Sequence, residues 1–306
     1  MSLKLTILGC HSATPRSFAH PTSQYLEINN RNFLIDCGEG TQTQLRKYKI
    51  KFSKIKHIFI SHLHGDHFYG LIGLISTFSL LNRQTELHIF GPKGIKDIIN
   101  LQLKLTKSWM EYPIHFHELS SKKSEMIFED KKVEVYTIPL KHRIYTNGYL
   151  FKEKQKERNL NINEIRKYKE IEICDLQNLK NGKNFIKSNG DIIKNETLTT
   201  NPPPILKYAF CSDTAYFEDI IPIIDQCDLL YHESTFLEDK AELAKKTRHS
   251  TAKQAATIAY KANVKKLLLG HYSSRYKDEN LFLQEGKTVF SNIELSQEGK
   301  IFSVEN

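Results

Sequence analysis

Ser61-His62-Leu63-His64-Gly65-Asp66-His67 places three imidazoles and one carboxylate within six positions. The apolar run Ile58-Phe59-Ile60 before it reads as a buried strand, and Phe68 to Leu81 after it reads as a buried helix. His62 to His67 therefore lie on a loop at a strand end. On such a loop His62 and His64 point to one side, while Asp66 and His67 reach a second position nearby, which is the geometry of two adjacent metals. Imidazole nitrogens and a carboxylate, with no thiolate, suit zinc chiefly, with manganese, iron or cobalt as substitutes.

Two metals require more ligands than these four. Candidates stand after other apolar, strand-like runs, at Lys141-His142-Arg143, Cys211-Ser212-Asp213-Thr214 and Leu269-Gly270-His271-Tyr272. Asp213 is the natural bridging carboxylate, His142 the third imidazole of one metal and His271 that of the other. A lone strand-end His or Asp is more often a surface or capping residue. The order and context of these three favour the ligand reading.

Working outward, Leu3 to Leu8, Tyr25 to Ile28 and Phe33 to Asp36 read as strands, with a turn at Asn29-Asn30, and Thr41 to Tyr48 as a helix. Further strands are expected at Leu87 to Phe90, Val133 to Ile138, Tyr208 to Cys211, Leu229 to Tyr231 and Lys266 to Leu269. A hairpin is expected at Ile293 to Val304 around Glu298-Gly299. The fold class is α/β in layers, αββα. Between the two halves, about Lys152 to Pro204, the sequence turns charged and Asn-rich and ends in Pro202-Pro203-Pro204, as an inserted excursion would. The excursion is mildly basic, and a solvated surface extension explains its composition as well as any binding role.

Composition bounds the rest. The 306 residues suffice for a sizeable core. Five scattered cysteines, Cys10, Cys37, Cys174, Cys211 and Cys227, include no Cys-x-x-Cys pair, which argues against a disulfide framework or a thiolate zinc site and fits a reducing cytoplasm. No apolar run approaches the length of a bilayer span, and the start shows no signal core. A formal charge of +9 favours polyanionic partners only modestly.

The ordered His-x-His-x-Asp-His, His, Asp and His residues resemble the metallo-β-lactamase superfamily over His62 to His271. Within it the chain resembles the ribonuclease Z family, which processes the 3′ end of tRNA. The opening Ile7-Leu8-Gly9 and the run Asp36-Cys37-Gly38-Glu39-Gly40-Thr41-Gln42 are similar to that family's first strand and Asp-Cys-Gly-Glu-Gly-Thr-Gln segment. His232-Glu233-Ser234-Thr235 and His249-Ser250-Thr251 are similar to its His-Glu-x-Thr and His-Ser-Thr motifs. The resemblance implies one αββα sandwich of the metallo-β-lactamase fold over residues 1–306. It also implies an extruded arm at 152–204 that grips precursor tRNA, usually from the partner subunit of a homodimer. Two departures stand out. The arm has Glu172-Ile173-Cys174 near the place of the family's Gly-Pro element, and of the family's N-terminal Pro-x-Lys-x-Arg-Asn loop only Pro15 is kept.

The expected chemistry is hydrolysis of a phosphodiester with two zinc ions, giving a tRNA 3′-hydroxyl and a 5′-phosphorylated trailer. The expected metal ligands are His62, His64, Asp66, His67, His142, Asp213 and His271. Asp66 is the candidate to accept the proton of the attacking water, His249 to protonate the leaving oxygen, and Glu233 to orient His249. Basic groups outside the centre are expected to meet phosphates, with Arg143, Arg248 and Arg275 near the site in sequence and the arm lysines farther out, none assigned individually. Tyr272 either stacks on a base or packs in the core, packing being favoured. The competing readings are a hydrolase of a small ester or phosphodiester, a di-iron oxidoreductase, for which no flavin module is visible, and an RNA-binding protein with a relic site.

Overall fold

The computed structural model describes residues 2–14, 16–17 and 19–305. Pro15 of the N-terminal loop lies outside them, as does Phe18.

Strands β1 (Ser2–Gly9), β2 (Ser23–Ile28), β3 (Arg31–Ile35), β4 (His57–Phe59), β5 (Leu87–Pro92) and β6 (Ile114–Leu119) build most of the first sheet. Strands β7 (Met126–Glu129), β8 (Val133–Pro139) and β9 (Asn147–Glu153) open the second. An excursion carries β10 (Asn159–Leu160), β11 (Phe185–Ile186), β12 (Ile192–Ile193) and β13 (Thr199–Thr200). Strands β14 (Lys207–Cys211), β15 (Leu229–Glu233), β16 (Leu267–Gly270) and β17 (Ile293–Leu295) complete the second sheet, and β18 (Ile301–Glu305) returns to the first. The sheet orders are β18-β1-β2-β3-β4-β5-β6 and β17-β16-β15-β14-β9-β8-β7. In the first, β3 to β6 run parallel; in the second, β14 to β17 do.

Strand periodicity explains the layers. Leu3, Leu5 and Ile7 of β1 join Phe33, Phe59, Val135, Tyr149 and Tyr208 in the core between the two sheets. Leu34, Ile58 and Ile60 point the other way and bury Leu71, Leu74, Ile75 and Phe78 of the helix Gly70–Leu80. Ala252, Ala255, Ala256 and Ala259 of the helix Ala252–Lys261 are buried with the second sheet. The result is the expected αββα sandwich, with the central parallel strands covered on both faces and the edge strand β6 partly open to solvent.

The quoted histidine segment is held from behind. Cys37 N–H donates to His67 O at 2.7 Å and Gly70 N–H to Cys37 O at 2.9 Å. A Cβ at Gly70 would sit 2.1 Å from Gly38 O, so only glycine permits this approach. The expected helix from Phe68 to Leu81 is in fact two pieces, Gly65–Phe68 and Gly70–Leu80, so Asp66 and His67 ride on a helical turn rather than on open loop.

The expected hairpin at Ile293 to Val304 is wrong. β17 pairs with β16 in the second sheet and β18 with β1 in the first. The turn exists, with Gly299 at φ 81° against the Tyr48 ring, but it carries the chain from one sheet to the other. Strand alternation and a turn dipeptide specify two strands and a reversal, not their partners.

By contacts the chain divides into one unit of Met1–Glu153 and Leu206–Glu305 and another of Lys154–Ile205. The second holds the paired strands β10-β13 and β11-β12 and the helix Ile173–Lys180, around a small core of Leu179, Phe185 and Leu198. Glu172 and Asp175 cap that helix reciprocally, so the segment lacking the Gly-Pro element is an ordered helix start. Lys152 and Glu153 belong to β9. Among the described residues no helix is long and apolar enough to cross a membrane.

Candidate metal centre

Most of the expected site residues stand at the carboxyl ends of strands, on one rim of the sandwich, whereas His249 follows the helix Ala241–Thr247. Asp36 follows β3, the His62–His67 segment follows β4, His142 follows β8, Asp213 follows β14, Glu233 ends β15 and His271 follows β16. Parallel strands deliver their ends to a common edge, where loops are free to carry chemistry. Asp36, Arg248 and His271 adopt left-handed backbone at φ 55°, 59° and 61°. Each such residue costs about 1–3 kcal/mol, a strain that the surrounding packing must hold.

The seven expected ligands converge in two groups. In the first, His62 Nε2 lies 3.0 Å and His142 Nε2 3.3 Å from His64 Nδ1, with Asp213 Oδ2 3.6 Å from His62 Nε2 and 3.9 Å from His142 Nε2. In the second, Asp66 Oδ2 lies 3.5 Å from His67 Nε2 and 3.4 Å from His271 Nε2, while Asp213 Oδ1 lies 3.5 Å and 3.2 Å from the same two nitrogens. Ligands about 2.0–2.1 Å from a tetrahedral cation are spaced about 3.3 Å apart, and both groups cluster around that value. The two oxygens of Asp213 thus face different groups, as a bridging carboxylate requires.

Proton placement agrees with cation binding. His62 Nδ1 lies 3.0 Å from Ser61 Oγ, His67 Nδ1 2.6 Å from Asp36 Oδ2, His142 Nδ1 2.9 Å from Arg248 O and His271 Nδ1 2.8 Å from Thr235 Oγ1. Thr235 gives its single hydroxyl proton to Glu233 Oε2 at 2.6 Å, so His271 must be the donor to Thr235. With Nδ1–H donated outward, each Nε2 keeps a bare lone pair turned inward. His67 Nε2 is buried without a hydrogen-bond partner, a costly omission unless something electropositive faces it. The residues present therefore fit a pair of divalent cations.

Beside these groups, Glu233 is fully engaged. Its Oε1 accepts from His249 Nδ1 at 2.8 Å and Thr214 N at 2.9 Å, and its Oε2 accepts from Thr235 N and Oγ1. Burial opposes a charge on His249, yet Glu233 and Asp213 outweigh it and lift its pKa to about 9. His249, Asp213 and His271 also come close enough to share a cation. The Nδ1 contact to Glu233 leaves the Nε2 of His249 for the cleft instead. That cleft, of about 780 Å³, is lined by His64, Asp66, Asp213, His249 and His271 together with Arg143 and Arg275. With cations held by the two groups, a cleft so flanked by guanidinium groups would suit an anionic substrate and stabilise charge on its oxygens. Arg248, although exposed, donates Nη1 to His142 O at 2.6 Å, so it clasps a ligand from both backbone and side chain. Tyr272 is buried, its hydroxyl donating to Leu269 O.

The sequence reading did not assign roles to Asp36, Ser61 or Thr235, although all three sit inside motifs it quoted. Their placement one or two residues from a ligand or at a strand end was the available signal. Asp36→Asn is expected to weaken metal retention about 10–100-fold, because the amide no longer fixes the His67 tautomer as the carboxylate does. Competition with a chromogenic chelator measures it, and unaltered retention would make Asp36 a packing residue only.

Comparison with known proteins bears on the family and the fold. Residues 3–158 match the family model described as Anti-Pycsar protein Apyc1. The chain is 46% identical over 300 residues to ribonuclease Z of Parabacteroides distasonis, covering 98% of each. It is similar to the crystal structure of human tRNase Z, short form, at 25% identity and a TM-score of 0.71, covering 99% of this chain and 100% of that one. A metallo-β-lactamase fold protein from Bacillus subtilis shares the fold at 17% identity and a TM-score of 0.69, covering 99% of each chain.

Proposed function

Because the chain belongs to the ribonuclease Z family, and its residues 3–158 to the Anti-Pycsar protein Apyc1 family, we propose that this endoribonuclease cuts the 3′ trailer from precursor tRNA with two zinc ions. The products are a tRNA with a 3′-hydroxyl and a trailer with a 5′-phosphate. The single observation that carries the reading is Asp213, whose two oxygens serve two separate imidazole groups beneath the open cleft. Nitrogen and carboxylate donors at tetrahedral spacing, without a thiolate, favour zinc.

When bound, the two ions neutralise charge on the scissile phosphate and lower the pKa of water. The ligands of the first group are His62, His64 and His142, those of the second Asp66, His67 and His271, with Asp213 between them. Asp66, which borders the cleft, accepts the proton of the attacking water. His249 Nε2 protonates the departing 3′-oxygen, and Glu233, through the Nδ1 contact, aims that ring. Arg143 and Arg275 meet the flanking phosphates.

The unit Lys154–Ile205 serves as the arm that grips the tRNA body, a role that suits its basic surplus and its own small core. Replacing it by a short Gly-Ser linker is expected to raise KM more than it lowers kcat; an unchanged KM removes this role. The enzyme works as a homodimer. Leu101 and Leu105, one turn apart on the helix Ile95–Leu105, and Trp109 beyond it are exposed by 56%, 73% and 86%, an apolar stripe that a second copy would cover. Sedimentation velocity on the wild type and on Leu105→Asp tests this, the variant being expected as a monomer and a monomeric wild type overturning it. The location is cytoplasmic, in line with free cysteines; recovery of the protein in an envelope fraction would refute it.

The decisive experiment incubates untagged protein with a precursor tRNA and, separately, with a chromogenic phosphodiester, before and after chelation and with zinc restored. Cleavage at the trailer junction, with the stated end groups and zinc rescue, is expected. Turnover of the small diester alone would leave a hydrolase of small phosphodiesters.

A further inference from the structure

The outer edge of the first sheet carries a second set of imidazoles that the centre does not use. His57 on β4, His88 on β5 and His115 on β6 are paired directly across the parallel ladder, so all three share one face. Their rings stack at 5.3 Å and 4.8 Å, each pair inclined by 22°. His117, two residues along β6 and on the same face, stacks on Phe90 at 4.2 Å. Glu86, just before β5, places Oε1 3.4 Å from His88 Nε2 and Oε2 3.4 Å from His115 Nε2.

We propose that Glu86, His88 and His115 form a separate surface site for a first-row divalent transition ion of the zinc class. Three observations carry it. The donor atoms of the three residues lie within 4.8 Å of one another, and the carboxylate-to-imidazole spacings equal those of the buried centre. Two imidazoles and one carboxylate are a donor set that such ions prefer over magnesium or calcium, and it leaves further positions for water. His88 Nδ1 lies 3.0 Å from His117 Nε2, so His117 can accept the Nδ1–H of His88 and leave the Nε2 lone pair facing Glu86. This is the outward anchoring seen for the ligands of the centre.

Competition from a plain ion pair is limited by the ladder itself. Stacked neighbours at about 5 Å cannot all be protonated without repulsion, whereas one shared divalent ion satisfies both rings and the carboxylate at once. Half-exposed His88 and exposed His115 and Glu86 let an ion enter from solvent without movement of the fold. Because β6 is the edge strand of its sheet, a bound ion would also tie it to β5 through side chains as well as backbone.

The test uses untagged holoenzyme dialysed to constant zinc content and then titrated with Zn²⁺ alone in a calorimeter. One further equivalent is expected to bind. His115→Ala and Glu86→Gln, both substitutions of exposed side chains, are expected to weaken that equivalent at least tenfold while precursor-tRNA cleavage stays at the wild-type rate. A melting temperature that rises with added Zn²⁺ in the wild type and not in His115→Ala is the second readout. Absence of a further equivalent in the wild type, or wild-type affinity in both variants, overturns the site and leaves Glu86 as a partner for two imidazoles only.

Discussion

Asp213→Asn is expected to lower precursor-tRNA cleavage by about 10³-fold or more, equivalent to about 4 kcal/mol of lost transition-state stabilisation. The substitution keeps the volume of the side chain but turns one of its two anionic oxygens into a donor. Oδ2 faces His62 and His142, and Oδ1 faces His67 and His271, so the amide can serve one group as an acceptor and must repel a cation from the other. Metal content per chain should therefore fall together with rate, and the fold should survive, because hydrophobic burial around β14 does not depend on this charge. Single-turnover cleavage, elemental analysis and a thermal melt read the three quantities. Near-normal cleavage by a folded Asp213→Asn protein would show that the two groups do not act through a shared carboxylate.

His249→Ala should separate chemistry from metal binding. Loss of a general acid lowers turnover by about 10²–10⁴-fold, while bound metal is expected to stay at the wild-type level. The reason lies in Nδ1, which Glu233 Oε1 engages at 2.8 Å while Asp213 Oδ2 lies 3.9 Å away, so that only Nε2 is left free. Glu233→Gln should show a weaker version of the same defect, since the amide can still hold the ring but no longer supports its charge. A His249→Ala protein that loses an equivalent of metal would instead make His249 a ligand through its proximity to Asp213 and His271. One with normal turnover would remove it from the reaction altogether. Measuring metal and rate on the same preparation keeps the two readings apart.

How much of this was legible beforehand differs from residue to residue. The cluster His62, His64, Asp66 and His67 is contiguous in the chain, and its donor types state the chemistry before any coordinate is known. His142, Asp213 and His271 are single residues after strands, readable as ligands only as an ordered set. Asp36 and Thr235 were passed over because their role is to hold a proton on the far side of an imidazole, which no spacing rule reports. The strand Ile114–Leu119 went unread for a similar reason, its His-Phe-His-Glu alternation being too polar for a buried strand and suited to an edge. Likewise, Ile293–Leu295 and Ile301–Glu305 have the pattern of a hairpin, and nothing local says that they belong to different sheets.

By itself, then, the sequence determined the layered α/β class, the strand-end loops and the types of donor atom available, since each of these follows from side-chain chemistry and short-range periodicity. Tertiary structure alone decided which oxygen of Asp213 faces which group, that Asp36 and Thr235 set the proton positions of His67 and His271, and that four more histidines line up at the sheet's edge. Those are relations between side chains brought within about 3–4 Å by strand pairing and sheet packing, and register between distant segments is a property of the whole fold.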